Sequence, residues 1–179
     1  MPRKEVYSKT YSNNEIPLML NSYQDIFSDL DPRDYIHKAL SGDFILECKK
    51  ASIEKKDKIK LKLFIPKDKR NLNNETQIKK RLKEHFNKHF LEKKEDLKKL
   101  KRQGFFWFVL GCSLIVLTSL PLQENLSLIL KILINISHPA GWFFLWEGLG
   151  KILLTSKEKK PDFIFYKKMA NSEISFLDY

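Results

Sequence analysis

Apolar positions change their rhythm along this chain, and each rhythm predicts an element. In KIKLKLFIP, residues 58–66, Ile59, Leu61, Leu63 and Ile65 alternate with Lys58, Lys60 and Lys62. A period of two predicts a strand with one buried and one basic face, ended by Pro66. A lone strand does not persist, so it needs a partner. The C-terminal EISFLDY supplies one through Ile174 and Phe176, either by folding back or by pairing between subunits. From about Glu75 the spacing lengthens. Ile78, Leu82, Phe86 and Phe90 recur every fourth residue, and Leu97 and Leu100 extend the stripe. That period predicts a helix, capped by Asn73 or Asn74. No proline occurs between Glu75 and Leu120. One helix can therefore run through a stalk at residues 73–104 and onward, roughly 65 Å by its rise per residue.

Two later stretches are predominantly apolar. Residues 105–122, FFWFVLGCSLIVLTSLPL, carry no charge. As a helix they reach ~27 Å, close to the ~30 Å of a bilayer core. A buried helix of a water-soluble domain would need an apolar shell, and the rest of the chain is too polar to supply one. The second stretch, Leu126 to Leu154, is longer than a bilayer requires. Ser137-His138-Pro139-Ala140-Gly141 predicts a break in it, because proline disrupts a helix interior and favours a first turn. Upstream, Leu126, Ile129, Leu130 and Leu133 oppose Lys131 and Asn135, which predicts an interfacial helix over 123–136. Downstream, residues 137–155 form the second span, with Trp142 and Lys151 reaching the headgroup region from near its ends.

The N-terminal third reads as short helices. Asp31-Pro32 is a helix start, followed by Tyr35, Ile36, Ala39 and Leu40. Ser41-Gly42 breaks the pattern, and DFILECKKAS begins a second helix with Phe44, Ile45 and Cys48. The expected fold class is α+β: a mainly helical membrane protein with a transmembrane hairpin, a long stalk helix and a small cytoplasmic domain with one or two short strands. Its expected divisions are a flexible segment at 1–21, the α+β domain at 22–72, the stalk at 73–104, the spans and interfacial helix as above, and a C-terminal extension at 156–179 packing on the soluble domain.

Charge adds orientation. The 179 residues carry a formal charge of +11. Residues 49–102 hold 21 Lys and Arg against 8 Asp and Glu, a local charge of +13, so the remainder carries −2. KKEDLKKLKRQ precedes the first span and SKEKK follows the second, while the connection carries only Glu124 and Lys131. Both basic flanks are expected to stay inside, placing both termini in the cytoplasm with PLQEN as the external turn. The partners implied are a bilayer with anionic headgroups and further copies of the chain. Nucleic acid is disfavoured, because the aromatics fall on the apolar stripe rather than among the charges. Two cysteines, Cys48 and Cys112, make no disulfide framework. MPRKEVYSKTYSNNE lacks an apolar core, so no cleaved signal peptide is expected.

Candidate chemistry is sparse. Glu147 interrupts GWFFLWEGLGKILL, where an unpaired carboxylate costs a few kcal/mol. It can pair with Lys151 one turn on, bond Ser113 or Thr118 of the first span, line an oligomeric pore, or couple to protons. His85 and His89, at i and i+4, have metal-ligand spacing, with only Glu84 and Glu92 nearby as further ligands. They are weak metal candidates against an ordinary helix surface, and no metal or other cofactor is expected. Asp29, Asp31 and Asp34 lack the glycine and spaced oxygens of a calcium loop. They are candidates for capping, for an ion pair with Arg33, or for contact with a protein partner. No phosphate-cradling glycine loop, Gly-x-Ser-x-Gly or Cys-x-x-Cys is present, which leaves an enzyme as the minor reading.

NSYQDIFSDLDPRDYIHKALSGDF at 21–44, IKLKLFIPKDKRN at 59–71, IKKRLKEHFNKHF at 78–90, PAGWFFLWEGLGKI at 139–152 and KKPDFIFYKKMANSEISF at 159–176 together carry a resemblance. In these segments the chain resembles an uncharacterised family of small bacterial and archaeal membrane proteins. The resemblance implies a soluble domain, two spans and a cytoplasmic extension, in the cytoplasmic (inner) membrane. It implies no activity. The functional expectation is a non-enzymatic, self-associating membrane protein whose cytoplasmic domains organise the hairpins. The alternatives are an oligomeric ion channel or membrane-permeabilising effector, and an adaptor for another protein.

Overall fold

The computed structural model describes residues 14–55, 58–120 and 126–179. The chain divides into two compact units, one of residues up to Leu91 together with Phe163–Tyr179, the other Glu92–Asp162.

The first unit is built on three parallel strands: β1 (Glu15–Met19), β2 (Lys60–Ile65) and β3 (Glu173–Asp178), in the order β1-β2-β3. The register sets Ile16 beside Leu61 and Leu61 beside Ile174, then Leu18, Leu63 and Phe176 in the next row. The alternation of β2 thus builds one apolar face. Lys62 pairs with Glu15 at 2.8 Å and Lys60 with Glu173 at 3.6 Å across the other. Helix α1 (Gly42–Ser52) buries Phe44 and Cys48. The long helix α2 (Leu72–Ser119) buries Ile78, Leu82 and Phe86 in the same core. The later helix α4 (Ser156–Ala170) contributes Phe165 and Met169. Its rings interlock with α2, Phe165 on Phe86 at 6.2 Å and Phe163 on Phe90 at 5.7 Å.

The second unit pairs the C-terminal part of α2 with α3 (Leu128–Gly150). A π-helical turn, Lys151–Thr155, joins α3 to α4. Both long helices are apolar enough and long enough to cross a membrane. Their contact is made by backbone. A Cβ built on Gly111 would lie 2.7 Å from the Gly141 carbonyl oxygen, and one on Gly148 would lie 2.6 Å from that of Gly104. Only glycine permits this approach. Trp107 stacks on Phe144 at 5.0 Å beside the crossing.

Four expectations are corrected. Residues 1–21 are not wholly a flexible segment, because Glu15–Met19 is an edge strand with Ile16 fully buried. Its Pro17 suits a sheet edge, where no ladder donor is lost. No helix starts at Asp31-Pro32. Asp31 instead accepts from the backbone N–H groups of Arg33 (3.1 Å) and Ala39 (2.7 Å), folding 28–40 into a loop. Asn71, not Asn73 or Asn74, caps α2, its Oδ1 accepting from the N–H of both. The separate helix at 123–136 and the break before Pro139 are replaced by one helix with Pro139 inside it. Proline there removes one donor, the partner of the Asn135 carbonyl. Ending a helix would strand four carbonyls, a larger loss. The external turn at 121–125 and residues 1–13 lie outside the described residues.

Two further expectations are corrected. The small domain carries three short strands where one or two were expected, and the second apolar helix does not end at residue 155 but continues through the π turn into α4. As expected, the stalk and first apolar stretch are one helix and the C-terminal strand pairs with residues 60–65 within the chain, while α1 starts at Gly42 itself, behind Ser41.

Candidate functional site

Glu147 lies one turn before the end of α3, and Lys151 opens the π turn. The Lys151 ammonium donates to Glu147 Oε1 as an i, i+4 pair. The π turn widens the helix by one residue, and the hydroxyls of Thr155 and of Ser156 just after it bond back to the carbonyls of Gly150 and Lys151. Ser156 Oγ donates to the Lys151 carbonyl at 3.0 Å and Thr155 Oγ1 to that of Gly150 at 3.5 Å. Such π turns recur at functional positions in helices.

The neighbouring helix fixes the level of this pair. A Cβ on Gly104 would meet the Gly148 carbonyl oxygen at 2.9 Å and Lys151 Cβ at 3.0 Å. Gly104 separates the basic run ending at Arg102 from the apolar run starting at Phe105. In its own sequence Glu147 looks central to an apolar stretch. In the hairpin Lys151 stands at the charged boundary and Glu147 one turn inside it. Beside that boundary a shallow cleft of ≈350 Å³ is lined by Glu95, Asp96, Lys98, Lys99 and Arg102.

Ser113 and Thr118 do not meet Glu147. Ser113 Oγ donates to the Val109 carbonyl (2.8 Å), and Thr118 Oγ1 donates to that of Leu114 (2.8 Å). These back-bonds satisfy hydroxyls inside an apolar helix. Thr118 Oγ1 also lies 2.9 Å from His138 Nδ1, a polar clasp at the far end of the hairpin.

In the first unit, Asp31 and Arg33 form the expected pair. The guanidinium reaches both carboxylate oxygens, at 2.9 and 2.7 Å. That bond and the Ala39 N–H hold the Asp31 carboxyl well below the usual carboxylate range. Asp29 and Asp34 are exposed, and neither joins Asp31 in a ligand cage. His85 and His89 stack with ring centroids 4.3 Å apart, and His89 lies on Tyr166 at 5.2 Å. Among the described residues no set of three metal-ligating side chains includes them. His85 Nε2 is buried with no hydrogen-bond partner. Burial, then His89, Arg81 and Lys88, push its pKa down to about 4.

Sequence reasoning missed a buried polar network. Glu75 is 3% exposed, accepts from Arg70 Nε at 2.9 Å and Nη2 at 3.1 Å, and takes the Tyr23 hydroxyl at 3.1 Å. The Asn71 N–H donates back to that hydroxyl at 2.9 Å, and Asp178 adds a second carboxylate to Arg70 at 3.5 Å. This network ties the start of α2 to the C-terminal ends of the strands. No sequence spacing signals it. The glycine contacts were missed as well, although the repeat of seven at 104/111 and 141/148 is a signal that could have found them.

No family model, no curated protein and no solved structure matches this chain.

Proposed function

We propose that this chain is a non-enzymatic integral membrane protein that self-associates, its first unit organising the hairpin formed by α2 and α3. The carrying observation is the outward face of the second unit. Phe106, Trp142, Phe143 and Trp146 are each about half exposed or more, while the helices touch through glycine backbone. A surface of that size and apolarity is stable against lipid and not against water. The basic run ending at Arg102 then meets anionic headgroups on the cytoplasmic side, with both termini there, in a bacterial or archaeal inner membrane as the family resemblance implies.

The Glu147–Lys151 pair supports a structural reading over a pore. A carboxylate neutralised by a lysine of its own helix, one turn from the headgroup boundary, needs no water-filled conduit. The test is alkaline extraction of membranes from cells expressing the chain, combined with reporter fusions at each end. Retention in the pellet with both reporters cytoplasmic is the expected result. Release by carbonate, or ends on opposite sides, overturns the proposal.

A further inference from the structure

The free edge of β3 is a pairing site for the same edge of a second copy. We infer this from hydrogen-bond parity, and the inference rests on the self-association proposed above. The Glu173 N–H donates to Ile59 O at 3.0 Å and the Tyr179 N–H to Ile65 O at 3.2 Å. Odd-numbered residues of β3 therefore face β2. The N–H and C=O groups of Ile174, Phe176 and Asp178 face away from it, and among the described residues no strand lies beyond them. The other edge of the sheet is different. The Leu20 N–H donates to Phe64 O at 2.8 Å, so Glu15, Pro17 and Met19 face outward on β1, and Pro17 has no N–H to offer. An open row of donors and acceptors on a short parallel sheet templates another strand.

The occupant follows from self-complementarity. Two β3 strands related by a two-fold axis run antiparallel. Parity allows only even-numbered residues to exchange bonds across the axis. The longest such register centres on Phe176 opposite Phe176 of the second copy, with Ile174 opposite Asp178 on each side. It forms about six backbone hydrogen bonds and joins two sheets into one of six strands. Parity also keeps Glu173 from ever standing opposite Asp178. Within one copy both acids are already matched, Glu173 by Lys60 and Asp178 by Arg70. Ser175 then faces Leu177 of the second copy in the closer, non-bonded pairs, on the face of the sheet away from the core.

That prediction of neighbours is the test. Ser175→Lys with Leu177→Lys sets lysine against lysine twice, on side chains outside the core. Ser175→Lys with Leu177→Glu sets opposite charges there instead. Full-length chains in mild detergent are measured by mass photometry across a micromolar dilution series. The wild type is expected in even-numbered assemblies. The double-lysine variant should associate about tenfold more weakly and the Lys/Glu variant should recover. Wild type that is monomeric throughout removes both this inference and the self-association it rests on. Assemblies indifferent to the double-lysine variant remove this inference alone. Should either charged variant misfold, Ser175→Cys with Leu177→Cys decides the matter. Mild oxidation should yield a disulfide-linked dimer, because non-bonded antiparallel pairs approach to ~4.5 Å. Failure to form it, against a wild-type background with Cys48 and Cys112 intact, overturns the register.

Discussion

Glu75 brings a buried carboxylate into the first unit, held by Arg70 and the Tyr23 hydroxyl. Its removal leaves Arg70 with Asp178 alone and takes the carboxylate acceptor from Tyr23, a loss of about 1–3 kcal/mol. Glu75→Ala is expected to lower the unfolding midpoint in detergent by several degrees, where Glu47→Ala, on an exposed i, i+3 pair, changes it by little. Thermal melts of the two variants compare them directly. His85 acts in the opposite sense. Its folded pKa, about 4, lies below the ordinary 6.5, so folding excludes a proton that the unfolded chain accepts. Its contribution is complete above pH 6.5 and is lost as pH falls toward 4. After allowance for its partial exposure this amounts to roughly 1–2 kcal/mol. A melt series from pH 7 to pH 4.5 should fall more steeply for wild type than for His85→Gln. Parallel curves would remove this role. Neither network was legible in the sequence. Tyr23, Glu75 and Asp178 are far apart along the chain, and only folding makes them neighbours.

At the scale of elements, glycine rather than side-chain interdigitation sets the separation of α2 and α3. Gly148→Leu is expected to force the helices apart, because the obstructing atoms are backbone: the Gly104 carbonyl and Phe108 Cα at 2.8 Å. Overpacking of this kind costs about 1–3 kcal/mol. Gly150→Leu, with nothing near its Cβ, serves as the control. Helix-proximity crosslinking in detergent should report loss of the hairpin for the first and retention for the second. Periodicity foretold the long helix, β2 and β3, since each has a regular apolar spacing. It missed β1, because Pro17 reads as a breaker until the strand is seen to lie at an edge. It also placed a helix on 31–40, where Asp31 spends its carboxylate on Arg33 and Ala39 instead of a first turn.

For the whole molecule, Trp142 and Phe143 are exposed on one unit, whereas Ile78 and Leu82 lie in a closed core on the other; the proposed membrane placement puts lipid around the first set. Withdrawal of detergent from the purified chain is expected to precipitate it, and reconstitution into vesicles with anionic headgroups to restore it. Flotation that is stronger on anionic than on neutral vesicles, and that weakens with salt, would bear out the contact of the basic run with headgroups.

The amino-acid order determined the apolar runs, the basic block before them, the long helix and the alternating strands, since each is a local pattern enforced by backbone period. It also placed Lys151 one turn after Glu147, so their pairing was legible. Tertiary structure alone decided the rest. The antiparallel register of α2 and α3 set Lys151 beside Gly104, at the end of the basic run, and Glu147 one turn from it, because level is set by a neighbour and not by sequence position. The parallel order of the three strands fixed which backbone groups of β3 point outward, because a strand acquires a free edge only when its other edge is paired.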